Sequence, residues 1–104
     1  MTTETIEKEK ISVKEKQDIQ PPKMYKVFIL NDNTTTFDFV IAVLMRIFGH
    51  SFDSAEKITL DVHYNGKGLA GIYPHDIAET KADETCQVAK SAGFPLRAVI
   101  EQEE

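Results

Sequence analysis

The chain has one cysteine and no tryptophan among its 104 residues. A single cysteine excludes an intramolecular disulfide framework. Clustered positive charge is missing too: 12 Lys+Arg against 17 Asp+Glu leave a net charge of −5. Phosphate backbones need concentrated positive charge, so nucleic acid is not the expected partner. Long apolar runs are absent. The longest, Phe39–Met45, is closed by Arg46 and is far too short to span a bilayer. The N-terminus shows no apolar stretch of the signal-peptide kind, so the expectation is a soluble cytosolic protein with no membrane partner. Large apolar residues are scarce at the start. Residues 1–20 contain Ile6, Ile11, Val13 and Ile19 but no Phe or Tyr, and they alternate Glu with Lys without a helical stripe. Such a segment cannot bury enough surface to offset the entropy of ordering, and it reads as disordered. Pro21-Pro22 then stiffens the chain. The expected plan is a disordered extension over residues 1–22, one folded core over residues 23–101, and a short acidic end over residues 102–104.

The core opens with Tyr25–Leu30, a short run of β-branched and aromatic residues that predicts a strand buried on both faces. Asn31-Asp32-Asn33-Thr34 reads as a polar turn. Thr35 with Asp38 resembles a capping box, and Phe37, Val40, Ile41, Leu44, Ile47 and Phe48 follow at helical spacing up to Gly49. A second helix is expected from Ser51 or Asp53, where Asp53 with Glu56 offers another capping box. Its stripe is Ala55, Ile58, Thr59 and Val62, and it ends at Asn65-Gly66. Leu69–Tyr73 reads as a short strand. Pro74 suits a helix start, and a third helix is expected from His75 to Ala92 with Ala78, Ala82, Cys86 and Ala89 on one side. Leu96–Ile100 is the last strand. The order β-α-α-β-α-β gives a small two-layer α/β (α+β) sandwich: a three-stranded antiparallel sheet with three helices on one face.

Most of the chemistry-bearing patterns have a plain reading. Gly66-Lys67-Gly68-Leu69-Ala70-Gly71 fits G-x-G-x-x-G, but a dinucleotide fingerprint follows a strand and opens a helix, and here the order is reversed. His50, His63 and His75 are too widely spaced for a local metal box, and Cys86 lies on another element, so no metal and no cofactor are expected. Cys86 reads as a packed residue. Asn31-Asp32 taken alone is a loop, and His63 taken alone is a surface or half-buried histidine. Spacing does not bring them together.

Read in order, Pro22-Lys23-Met24-Tyr25-Lys26-Val27, Leu30-Asn31-Asp32-Asn33, Phe39-Val40, Val62-His63-Tyr64-Asn65-Gly66-Lys67 and Ala78-Glu79-Thr80-Lys81 resemble the ClpS family. Members of that family are adaptors that deliver N-degron proteins to the Clp unfoldase–protease. The resemblance implies a non-catalytic binding module for a free N-terminal Phe, Tyr, Trp or Leu. It implies that Asn31, Asp32 and His63 hold the α-amino group. It also implies a side-chain pocket made by Thr35, Phe37, Val40, Thr59, Val62 and Leu96. An α-amino group has a reference pKa of about 7.7–8.0 and is a donor only, so carboxylate, amide oxygen and ring nitrogen are suitable acceptors. Weighing burial and hydrogen bonds against association entropy gives an expected Kd from high nanomolar to tens of micromolar. β-Branched Ile and Val should be excluded by a narrow mouth.

The resemblance further implies that Asp76, Glu79 and Lys81 contact the N-terminal domain of a ClpA- or ClpC-type unfoldase. Read alone, they form a solvated helix start. The sequence departs from the family pattern at four positions: Asn33 stands for a frequent Asp, Thr36 for Pro, Phe37 for a gatekeeping Met, and Thr59 makes one wall more polar. A shifted preference among the N-terminal residues is expected. No apolar surface stripe demands a dimer, so a monomer is expected. Two other readings compete. One is a scaffold or assembly domain resembling the C-terminal domain of the ribosomal stalk protein, since fold does not fix function. The other is a small enzyme using His63 and Asp32 as acid and base.

Overall fold

The computed structural model describes residues 20–104. Strand β1 (Met24–Leu30) lies at the centre of a three-stranded sheet of order β2-β1-β3, with β2 (Lys67–Pro74) and β3 (Arg97–Gln102) both antiparallel to it. Only Val27 and Ile29 of β1 are fully buried. Their alternation with half-buried Lys26 and Phe28 corrects the expectation of a strand buried on both faces. The helices cover one face of the sheet. On the other, the Lys67 ammonium sits 4.2 Å from the Phe28 ring centre, so long polar side chains shield that face in place of a second layer. The fold class is the expected small α/β sandwich. The first 19 residues of the expected extension lie outside the described residues.

Helix α1 (Phe37–Arg46) is capped by Thr36, whose hydroxyl accepts from the Phe39 amide at 3.2 Å. The cap is therefore Thr36 and not Thr35, because Thr35 is already held by Asp32. Helix α2 (Phe52–Asn65) starts at Ser51, which accepts from Ser54; no bond joins Asp53 to Glu56. Gly66 ends α2 at φ 90°, a conformation that costs glycine little and returns the chain directly into β2. Helix α3 (His75–Ser91) follows β2 without a side-chain cap. Its buried stripe is Ala78, Ala82, Thr85 and Ala89, with Thr85 where the sequence suggested Cys86. Cys86 is half-buried, its sulfur 4.0 Å from the Ala98 carbonyl. These small residues face a core of Val27, Ile29, Val40, Val43, Leu44, Val62 and Leu96.

The β1–β2 register shifts so that Val27 faces Gly71 and Phe28 faces Leu69, which makes Ala70 a bulge. His50 answers the carbonyl this frees: its Nε2 lies 2.6 Å from Ala70 O, and its Nδ1 lies 3.0 Å from Ser54 Oγ. A carbonyl only accepts, so Nε2 donates and Nδ1 accepts from the serine hydroxyl. His50 thus ties the α1–α2 connection to β2. The sheet has two ends. Leu30 pairs with Lys67 and Arg97 at one; Met24 pairs with Pro74, and α3 starts there, at the other. The length of β1 puts these ends about 20 Å apart. Among the described residues, no helix is long and apolar enough to cross a membrane.

Candidate functional site

A cavity of about 240 Å³ opens at the Leu30 end of β1. Its position follows from one backbone bond: the Asn31 amide donates to the Gly66 carbonyl at 3.0 Å, which clamps the loop after β1 to the end of α2. That bond brings Asn31 and Asp32 to the helical turn carrying His63. All three line the cavity, as do Thr35, Phe37, Val40, Thr59, Val62 and Leu96. Leu30 and Asn33 also line it. In the sequence Leu30 reads as the last residue of a strand, and its place directly before the loop is the one signal of a lining role.

Asp32 shapes the loop. Its Oδ1 accepts from the amides of Thr34 at 2.8 Å and Thr35 at 2.7 Å, and its Oδ2 accepts from the Thr35 hydroxyl at 2.7 Å. Burial pushes the Asp32 carboxyl up, but the bonds from the Thr35 amide, the Thr35 hydroxyl and the Thr34 amide together hold it below its usual value. The carboxylate is therefore ionised, oriented, and still has lone-pair capacity on Oδ2. His63 is exposed on the last turn of α2. Its ring meets Phe37 edge-on at 5.3 Å and Tyr64 at 4.8 Å.

The interior is apolar. Val40, Val62 and Leu96 are each 5% exposed or less, whereas Phe37 at the rim is 44% exposed. Thr59 is less polar than its name suggests. Its hydroxyl donates back to the Ala55 carbonyl at 2.7 Å, which commits its proton within the helix. The cavity thus pairs an apolar interior with a group of oxygen and nitrogen acceptors. It suits a hydrophobic body that ends in a cation. Among the described residues, no group of three or more His, Cys, Asp or Glu is placed to hold a metal ion.

Asp76, Glu79 and Lys81 lie elsewhere, at the start of α3 and the far end of β1. Asp76 and Glu79 are exposed. Lys81 is half-buried and turns inward: its ammonium donates to the Ile47 carbonyl at 2.8 Å and lies 5.4 Å from the Tyr73 ring centre. It caps the C-terminus of α1, where a cation suits the helix dipole. Each glycine of Gly66-Lys67-Gly68-Leu69-Ala70-Gly71 also has a local use. Gly66 is the α2 cap, Gly68 lies against Val62 and Ile58, and the Tyr73 ring lies over Gly71.

The family model described as ATP-dependent Clp protease adaptor protein ClpS matches residues 20–99. The chain belongs to the ClpS family. Relatives named ATP-dependent Clp protease adapter protein ClpS match over most of the chain. The protein of Wolinella succinogenes is 47% identical over 90 residues, covering 86% of this chain and 88% of that protein. The protein of Campylobacter jejuni subsp. doylei is 44% identical over 103 residues, covering 99% of both. The solved structure of Agrobacterium tumefaciens ClpS2 bound to L-phenylalaninamide superposes with a TM-score of 0.78 at 41% identity. That match covers 80% of this chain and 100% of the other. ClpS relatives are named as adaptors, which favours a binding module over the scaffold and acid–base readings.

Proposed function

We propose that this ClpS-family chain is a non-catalytic adaptor. It binds proteins that expose a large hydrophobic N-terminal residue and delivers them to an AAA+ Clp unfoldase–protease in the cytoplasm. The observation that carries this reading is the cavity itself, an apolar chamber with Asp32, Asn31 and His63 among its lining residues. The ligand of the Agrobacterium relative adds support, since L-phenylalaninamide is a phenylalanine with a free α-amino group and an amide in place of its carboxyl. In this reading Asp32 supplies charge, Asn31 an amide oxygen and His63 a ring nitrogen to the α-ammonium. Thr35, Phe37, Val40, Thr59, Val62 and Leu96 receive the side chain.

Fluorescence anisotropy with a labelled Phe-initiated peptide tests this, beside its N-acetylated and Met-initiated twins. The first is expected to bind at micromolar or tighter Kd and the acetylated twin to lose at least about 100-fold, since acetylation removes the charge and most of the donors. Equal binding of free and acetylated peptides overturns the reading. The pH dependence has a defined sign. Recognition needs an ionised Asp32 and a protonated amine. Asp32 titrates below its usual value, so the carboxylate's share of the affinity holds through mildly acidic pH. Above the amine pKa of about 7.7–8.0, affinity falls by up to about tenfold per pH unit. Affinity that stays flat to pH 10 counts against a cationic ligand.

Phe37 narrows the rim and is held edge-on against His63. Met is flexible and adapts to irregular shapes, so Phe37→Met is expected to improve Trp and Leu relative to Phe by roughly threefold or more. An unchanged ranking in a peptide series rejects Phe37 as the selector.

For the unfoldase we keep Asp76, Glu79 and Lys81 as the contact with a ClpA- or ClpC-type N-terminal domain, with the chain acting as a monomer. The exposed acids and the inward Lys81 predict different phenotypes. Asp76→Ala with Glu79→Ala weakens capture of the unfoldase domain, with only the small loss of melting temperature that removing an acid from the first turn of α3 brings. Lys81→Ala also lowers the melting temperature, by roughly 4–8 °C for about 1 kcal/mol of lost capping. Calorimetry together with a pull-down separates them, and capture left intact in the double variant rejects the acidic contact.

A further inference from the structure

We infer that Tyr64, together with the rings of His63 and Phe37, forms a rim subsite that reads the side chain of the second residue of the bound protein. A flat side chain is favoured there, either an aromatic ring or a guanidinium. The inference rests on the amino-terminal recognition reading above.

Three rings stand in a row at the cavity: Phe37, His63 at 5.3 Å from it, and Tyr64 at 4.8 Å from His63, each pair edge-on. Phe37 and His63 line the cavity and Tyr64 does not, so Tyr64 continues the row outward. Tyr64 is 76% exposed, and no core contact accounts for its ring. Leu60, one turn earlier on α2, is 39% exposed and extends the same apolar side. Asp61, three residues before Tyr64, adds an exposed carboxylate to that side of the helix.

The geometry of a peptide then does the rest. Consecutive Cα atoms are about 3.8 Å apart, and in an extended chain successive side chains point in opposite directions. With the first side chain in the cavity and its amino group near His63, the second side chain emerges from the mouth. A group that stands clear of the surface within one residue's reach of His63 can meet it. Tyr64 meets both conditions. A ring face attracts another ring edge or a guanidinium, and Asp61 adds to the preference for Arg.

The experiment compares peptides beginning Phe-Arg, Phe-Tyr and Phe-Gly, otherwise identical, by anisotropy against the parent chain, Tyr64→Ala and Tyr64→Phe. In the parent, Phe-Arg and Phe-Tyr are expected to bind about 3- to 10-fold tighter than Phe-Gly. Tyr64→Ala is expected to bring the Phe-Tyr ratio close to one and to lower the Phe-Arg ratio to the part that Asp61 sustains, and Tyr64→Phe to restore both. General damage to the fold would instead weaken all three peptides in parallel and keep the ratios, which overturns the subsite. Equal affinities in the parent overturn it as well. Failure of every peptide to bind, Phe-Gly included, defeats the recognition reading itself and is distinguishable from both.

Discussion

Asp32→Asn is expected to lower affinity for a Phe-initiated peptide by about 10- to 100-fold while leaving the fold nearly as stable as before. Two jobs meet on this carboxylate. Oδ1 and Oδ2 hold the loop through three bonds from Thr34 and Thr35. The charge, by the proposed reading, faces the ammonium. Asn keeps an oxygen for the two backbone amides, as Asn does in Asx turns generally. It offers an NH₂ group where the second oxygen stood, so a donor meets a donor and the charge is gone. Asp32→Ala removes both jobs. The Thr34 and Thr35 amides lose their acceptor, at a cost of roughly 1–3 kcal/mol for the less exposed of them. Peptide affinity and urea stability measured on both variants separate the roles. If Asp32→Asn binds as the parent does, the carboxylate is a loop strut only.

The same residue sets an acid limit. Its folded pKa lies below the usual value, so the stability it lends is present above the ordinary aspartate range and fades as pH falls through the lowered one. Melting temperature and peptide affinity should therefore decline over a common acidic interval in the parent. In Asp32→Asn the part due to this group disappears from both.

How much of this was readable beforehand depends on what each residue answers to. The helical stripes of α1 and α2 follow a 3.6-residue period, and Val40, Leu44, Ala55, Thr59 and Val62 fell where the period put them. In α3 both Thr85 and Cys86 continue the three-to-four-residue spacing from Ala78 and Ala82 to Ala89, so spacing alone does not choose between them, and the structure buries Thr85. Three consecutive threonines made the α1 cap ambiguous. The tie is broken by Asp32, which engages Thr34 and Thr35 and leaves Thr36 as the cap. β1 reads as buried on both faces because Phe28 and Leu30 are apolar, yet its outer face is only half-buried, beside side chains such as Lys67 that a run of six letters does not show. The site was legible only through resemblance. Asn31 and His63 are 32 positions apart, and what joins them is one amide-to-carbonyl bond to Gly66. The inward turn of Lys81 was equally hidden, because the carbonyl it caps belongs to Ile47 on another helix.

Gly68→Ala is expected to destabilise the chain by roughly 1–3 kcal/mol and to weaken peptide binding in the same variant. A Cβ at this position would lie 2.8 Å from Val62 Cγ2 and 2.9 Å from the Ile58 carbonyl oxygen. The first neighbour is the short branch of a buried side chain and the second is helix backbone, so neither can swing aside. Relief requires α2 to move off β2. Val62 is part of the cavity wall and His63 follows it, so the displacement reaches the site directly. Gly49→Ala is the control. Its φ of 74° carries the left-handed penalty of about 1 kcal/mol, but nothing lies within 4 Å of the added methyl. Both variants lose stability by different causes, and only Gly68→Ala should also lose affinity under conditions where each remains folded. Equal peptide affinity in the two variants would mean that the spacing between α2 and β2 is irrelevant to the pocket, and that Gly68 serves packing alone.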